Sequence, residues 1–176
     1  MTRAASLPSE LPIERLTAIC DTREQDSLDL SPLKTIRGTL ATGDYSVVGL
    51  ESVITIERKS LPDLLACVGR ERGRFEREVK RLLAYEARLL VIESTWQEIN
   101  AGGWRGKITP RVVAGSILGW SAAGLPALLV GSHDEAGRAV ARFLYIVARR
   151  RWRESRALIG NVLGETPATV GEGANA

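Results

Sequence analysis

The stretch Gly43-Asp44-Tyr45-Ser46-Val47-Val48-Gly49-Leu50-Glu51-Ser52-Val53-Ile54-Thr55-Ile56-Glu57-Arg58-Lys59 decides the fold. Gly43-Asp44 marks a bend, Tyr45–Val48 has strand composition, residues 49–52 read as a turn, and Val53–Glu57 is a β-branched strand. Side chains alternate faces along a strand. Ile54 and Ile56 therefore point into a core, while Glu57 and Lys59 share the other face roughly 7 Å apart. If the two strands pair, their ends converge and bring Asp44 close to Glu57. Taken singly, Asp44 reads as a turn residue and Glu-x-Lys as a solvated strand face. Jointly they mean more, because Glu57-Arg58-Lys59 interrupts a strand that otherwise reads as core.

Upstream, Leu16–Cys20 is a short apolar run ending at Asp21, and Thr35–Thr42 is a second strand candidate. With the hairpin they predict a meander of antiparallel strands. Residues 1–13, with Pro8 and Pro12, read as a loose arm. Downstream, Leu61–Val68 predicts a short helix. Glu71–Glu86 predicts a longer one, with Phe75, Val79, Leu82 and Leu83 on one apolar face. Arg70, Arg74, Arg77 and Arg81 form a separate stripe on that helix. Arg88–Ile92 and Leu125–Val130 read as buried strands, and Thr95–Asn100 as a short helix. Thr109 caps a helix with Pro110 at its first position, running to about Ala123. A last helix starts at Ser132 or Asp134 and runs through about Arg156. Residues 165–176 read as a disordered tail. Strands first, then alternating helices and strands, predict one α/β domain over residues 14–164, a mixed central sheet flanked by helices.

Composition narrows the function classes. The chain has 176 residues and a net charge of +3, too modest by itself to imply nucleic acid. Position matters more: seven arginines and one acid lie between Arg138 and Arg156, and six bases and three acids between Arg70 and Arg81. Such stripes suit a phosphate backbone. Two isolated cysteines, Cys20 and Cys67, and a single histidine, His133, argue against a Cys/His zinc site or a disulfide framework. No apolar run reaches the length of a membrane span and no signal-peptide core is present. An intracellular, cytoplasmic protein is expected, nuclear only in a eukaryote.

Two carboxylates beside one lysine at the end of a hairpin suit phosphodiester hydrolysis. Asp44 and Glu57 are candidate oxygen ligands of a hard cation such as Mg²⁺, with Mn²⁺ as a substitute. Asp21, at the end of the first strand, is a candidate third carboxylate. Lys59 is placed to orient or deprotonate a water, or to offset charge on the phosphorane.

Asp21-Thr22-Arg23-Glu24, Gly43-Asp44-Tyr45, Glu57-Arg58-Lys59 with Asp63, and Gly73-Arg74-Phe75-Glu76-Arg77 together resemble the nuclease domain of the XPF family, within the PD-(D/E)XK nuclease superfamily. The resemblance covers residues 16–150. It implies a restriction-endonuclease-like fold and a divalent-metal endonuclease acting on branched DNA (flaps, forks or junctions) in repair or recombination. By that similarity Asp21, Asp44, Glu57 and Lys59 are catalytic, the three carboxylates serving as metal ligands. Arg23, Glu24, Arg58 and Asp63 are supporting residues, and Arg70, Arg74, Arg77 and Arg81 bind DNA, with Arg74 reaching the DNA or the site.

One departure stands out. Family members that work alone carry a tandem helix-hairpin-helix module, and none is visible here after Gly164, so a stand-alone form is expected. Gly115 and Gly119 give helix 110–123 a small-x-x-x-small face, which serves packing within the monomer or against a homodimer mate or partner subunit. The alternative to an active endonuclease is a non-catalytic DNA-binding or scaffold subunit of a nuclease complex. Such relatives lose part of Gly-Asp or Glu-Arg-Lys, and this chain keeps both. A restriction-type nuclease ranks last, since no added recognition domain is visible.

Overall fold

Runs of three to seven residues, rich in β-branched and aliphatic side chains, build the sheet, and the computed structural model describes residues 8–164. Six strands, β1 (Thr17–Asp21), β2 (Lys34–Gly38), β3 (Tyr45–Val47), β4 (Ile54–Ser60), β5 (Ala87–Glu93) and β6 (Ala127–Val130), form one mixed sheet in the order β2-β1-β3-β4-β5-β6. Five helices flank it: α1 (Leu61–Val68), α2 (Arg72–Leu82), α3 (Trp96–Ala101), α4 (Pro110–Ala122) and α5 (His133–Leu163). Alternation along each strand divides the core in two. Ile54, Ile56, Leu89 and Val91 pack with Val140, Leu144 and Val147 of α5 on one face. Leu90 and Ile92 pack with Leu64, Phe75, Ile99 and Ile117 of the other helices on the opposite face. The expected α/β fold, restriction-endonuclease-like with helices on both sides of a mixed sheet, is what the chain adopts.

The expected antiparallel meander holds only in part. β3 runs antiparallel to both β1 and β4, but β1 and β2 are parallel. Parallel neighbours need a crossover, and residues 22–33 supply it, burying Leu28, Leu30 and Leu33 in the α5-side core. Gly137 on α5 makes room for that crossing, since a Cβ there would lie 2.3 Å from the Asp29 carbonyl oxygen. β4, β5 and β6 are parallel in turn.

Boundaries shift elsewhere. The second strand is Lys34–Gly38 and not Thr35–Thr42, because residues 39–44 leave the sheet to form the bend into β3. The helix expected over Glu71–Glu86 spans Arg72–Leu82, which leaves Arg70 in the turn before it. α5 continues past Arg156 to Leu163, because nothing breaks it until Gly164 closes it in the left-handed conformation. Of the arm expected over residues 1–13, residues 1–7 lie outside the described residues. The rest is docked: Leu11 and Ile13 pack on the core, Tyr145 donates to the Leu11 carbonyl, and Arg156 donates to the Ser9 carbonyl. The tail at 165–176 also lies outside the described residues. Among the described residues no helix is long and apolar enough to cross a membrane.

Candidate active site

The bend before β3 builds one wall. Gly43 has φ +77°, and a Cβ there would sit 2.2 Å from Thr55 Oγ1, so only glycine lets the bend press against β4. The closeness locks Asp44 in place. Its amide donates to the Ile56 carbonyl at 2.7 Å, its carbonyl accepts from the Asp21 amide at 2.8 Å, and its Oδ2 accepts from the Arg58 amide at 2.8 Å. The expected convergence of the two strand ends is thereby present.

β4 supplies the other two groups. Glu57 is 2 % exposed although it lies on a central strand. Lys59 Nζ donates to Glu57 Oε1, and Glu57 Oε2 is buried with no partner. Burial, then the Asp44 charge, raises the Glu57 carboxyl above the usual carboxylate range. Burial likewise pushes Asp44 up to about 6, against the hydrogen bond from the Arg58 amide and the charge of Lys59. Burial disfavours the Lys59 charge, but the carboxylates of Glu57 and Asp44 outweigh it and raise its pKa. Its ammonium also sits 5.2 Å from the Phe75 ring centroid. In the metal-free chain these contacts hold Lys59 as a fixed cation.

A cavity of about 350 Å³ opens over Asp44 and Lys59, lined by Arg23, Glu24, Gln25, Asp26, Asp44, Arg58, Lys59, Ser60 and Asp63, with the buried Glu57 not among its lining residues. A second, of about 230 Å³, shares Lys59 and Asp63 and adds Arg70, Glu71 and Arg74. The two adjoin at Lys59 and Asp63, and both mix acids with bases, Arg70 of the α1–α2 turn and Arg74 of α2 standing in the second.

Asp21 does not border this cavity, contrary to expectation. It is 1 % exposed, and its carboxylate accepts from the Arg23 amide and Nε, from Arg23 Nη2, and from the Leu40 amide. Burial alone would raise its pKa, but these donors hold it down at about 2. Its oxygens are already committed to the β1 loop. Arg58 also departs from its neighbours: its side chain leaves from the opposite face of β4 to Glu57 and Lys59. There it meets Glu93 in a two-point pair at 2.6 and 3.1 Å, Asp26 at 3.0 Å, Glu24 at 3.3 Å and His133 Nδ1 at 3.1 Å. It thus ties the loop carrying Glu24 and Asp26 to β5 and α5. Asp63 accepts from Ser60 Oγ at 2.5 Å within the cap of α1. The arginine stripe is broken. Arg70 stands outside α2, Arg74 pairs with Glu71, and Arg81 approaches Glu78 at 4.0 Å. Arg77 is exposed.

Sequence reasoning missed Asp26, Glu93 and His133, which no local pattern marks because three separate elements bring them to Arg58.

The residues present fit a hard divalent cation. Glu57 Oε2 is an orphaned buried oxygen, Asp44 lies beside it, and Mg²⁺ is usually held by one or two carboxylates, waters and substrate phosphates instead of a full protein cage. Among the described residues no three His, Cys, Asp or Glu side chains gather closely enough to hold an ion by themselves.

A mixed sheet flanked by helices thus carries Asp44, Glu57 and Lys59 at converging strand ends. Residues 19–143 match the ERCC4 domain, and the chain belongs to that family, the family of the XPF nuclease domain. Among solved structures, XPF from Aeropyrum pernix is similar with a TM-score of 0.61 at 20% identity, covering 88% of this chain and 75% of that one. The same protein in complex with DNA gives 0.58 at 20% identity over 78% and 66%. No curated protein matches the chain significantly.

Proposed function

We propose that the chain is a Mg²⁺-dependent DNA endonuclease that cuts branched DNA. The observation that carries this reading is the buried, unpartnered Glu57 Oε2 beside Asp44, with the Lys59 ammonium fixed between Glu57 and Phe75. Burying two like charges side by side is unfavourable unless a cation is shared. When bound, Mg²⁺ would polarise the scissile phosphate and lower the pKa of a water; Asp44 and Glu57 would hold it, with Mn²⁺ as a substitute. The Arg58 amide keeps Asp44 aimed, and Phe75 and Glu57 keep Lys59 extended toward the cavity. Lys59 remains charged and offsets the negative charge that grows on the phosphate in the transition state. The adjoining cavity, with Arg70 and Arg74, would take a neighbouring phosphate of the same strand. The likeness to a fold solved in complex with DNA supports the substrate class.

DNA grip also has a candidate second source. Gly115 and Gly119 on α4 face open space, with nothing within 4 Å of an added Cβ. Val112 and Leu118 of the same helix are exposed. Among the described residues nothing packs on those two glycines, and a homodimer mate or partner subunit would.

Labelled flap, fork and four-way DNA, incubated with Mg²⁺ or with EDTA, test the reading. Cleavage near the branch in Mg²⁺, absent in EDTA and in Asp44→Asn, is expected. Equal cutting of linear duplex, or cutting that survives EDTA, would overturn it.

A further inference from the structure

Arg70 and Arg74, the bases of the second cavity, belong to the α1–α2 turn and the start of α2. Another group of bases stands beside them. Residues 99–132 hold Arg105, Lys107 and Arg111 and no acid. All three are exposed. Among the described residues no ion pair takes them in, whereas Arg72, Arg74, Arg150 and Arg151 each have an acid in reach. Arg105 and Lys107 ride on the loop between α3 and α4, which is held at its base. The Trp104 ring packs against the core on the α1–α4 side of the sheet, and its Nε1 donates to the Ile108 carbonyl at 2.7 Å, closing the loop around residues 105–107. Gly103 and Gly106 take φ +91° and +128°, with nothing within 4 Å of an added Cβ, so the tip stands clear of the domain. Two contacts fix the base of the loop and α4 against the α1–α2 turn. A Cβ on Gly69, the residue before Arg70, would lie 2.7 Å from Ile108 Cδ1, and Arg72 Nη1 donates to Ser116 Oγ of α4 at 3.4 Å.

We propose that the loop at residues 103–107, with Arg111, is a duplex-DNA contact that grips backbone phosphates beyond those taken at the cavity. This rests on the DNA-cleaving reading above and adds to it a surface outside the site. The loop offers charge and backbone outward, which position DNA through its phosphates without reading sequence. Its one aromatic ring is packed inward with the indole N–H engaged, so it gives a single strand no stacking platform. Cations on two segments packed against each other also keep a fixed spacing, which suits the fixed phosphate rows of a duplex.

The test is fluorescence anisotropy of the full chain with a labelled fork and a labelled single strand in EDTA, over about 50–200 mM salt. Wild type is compared with Arg105→Ala plus Lys107→Ala, and with Arg150→Ala plus Arg151→Ala. The second pair removes the same charge from arginines already held by Glu86 and Glu154. Each phosphate contact contributes about 0.9 to the log–log slope, so across that range wild type should lose about tenfold more affinity for the fork than the loop variant does. The exchange Arg105→Lys plus Lys107→Arg keeps both charges and should restore the wild-type slope. Melting of the loop variant should match wild type, because both side chains are exposed. An unchanged slope, or equal flattening in the two alanine pairs, would overturn the loop's role; an equal loss on the single strand would overturn its preference for duplex. Fork cleavage by wild type in Mg²⁺ would leave the endonuclease reading standing in each case. A wild type that binds the fork with the slope the loop variant lacks, yet cuts nothing in Mg²⁺, would overturn that reading and keep the loop.

Discussion

Replacing Asp21 with asparagine separates two roles that the sequence alone merges. As a metal ligand, Asp21 would be dispensable for folding and needed for cation binding; as the structure has it, the reverse holds. Its carboxylate accepts from the Arg23 amide and guanidinium and from the Leu40 amide, and sits at about 2 against an ordinary 3.8. That is a depression of nearly two units, and at 1.36 kcal/mol per unit it contributes about 2.5 kcal/mol at neutral pH. Arg23 is 66% exposed, and solvent screening of its half of the pair lowers the figure to about 1–2 kcal/mol. Asparagine also turns an NH₂ toward the Arg23 or Leu40 donors, and a buried donor left unsatisfied costs about 1–3 kcal/mol. Asp21→Asn should therefore lose at least about 2 kcal/mol, roughly 4–8 °C in Tm for a domain of this size. Because the folded pKa is depressed, the stabilisation is present above pH 3.8 and is lost as pH falls toward 2, so wild type and variant should converge there. Urea unfolding across that pH range, with Mn²⁺ titration at neutral pH, makes the measurement. A variant as stable as wild type that no longer binds Mn²⁺ would show Asp21 to be a ligand and refute the reasoning.

Asp44→Asn should abolish cleavage yet raise metal-free stability at neutral pH, by up to about 3 kcal/mol, since the folded pKa of Asp44 is raised by about two units. The raised pKa means that wild-type stability is lost as pH climbs from 3.8 to about 6; an EDTA melt showing no pH-dependent gap between the two proteins would contradict this. Arg74→Ala with Arg77→Ala should flatten the salt dependence of DNA affinity by up to about two units in log–log slope if both touch phosphate, and an unchanged slope would reduce them to solvated surface. Gly119→Leu should push apart any copy or partner seated on α4 while leaving the monomer folded, because nothing lies within 4 Å of its added Cβ; sedimentation with unchanged mass would dismiss that face.

What the sequence made legible was local. The hairpin and its Asp-Glu-Lys set rest on alternation within residues 43–59, and β3 and β4 pair as that alternation requires. The α2 apolar face follows from its spacing in the same way, and Phe75, Val79 and Leu82 are buried. What was not legible depends on distance along the chain. β2 lies parallel to β1 because residues 22–33 cross a face of the sheet, and no turn signal distinguishes that crossover from a hairpin loop. Asp21 looks like a ligand from its place at a strand end. Only the folded loop shows Arg23 and the Leu40 amide, 19 residues on, taking its oxygens. The Arg58 cluster is the extreme case: its partners Glu24, Glu93 and His133 lie 34, 35 and 75 residues away.

Arg58 and Glu57 are adjacent in sequence, and the sheet sends them to opposite faces with opposite consequences. Arg58 gathers the acids Glu24, Asp26 and Glu93 around one guanidinium, so each ion pair satisfies a charge that would otherwise repel its neighbours. Glu57 is left with one oxygen on Lys59 and the other on nothing. Backbone alternation therefore does more than place a ligand. It separates the acids that Arg58 neutralises in the cavity wall from the one whose oxygen stays free for the proposed cation. Moving Glu57 by a single residue along β4 would put its carboxylate beside Glu93 and Arg58 and would direct a hydrophobic neighbour at Asp44. Spacing along this strand is for that reason a condition of the chemistry: an insertion between Ile56 and Glu57 should remove metal binding even where all the named residues are retained.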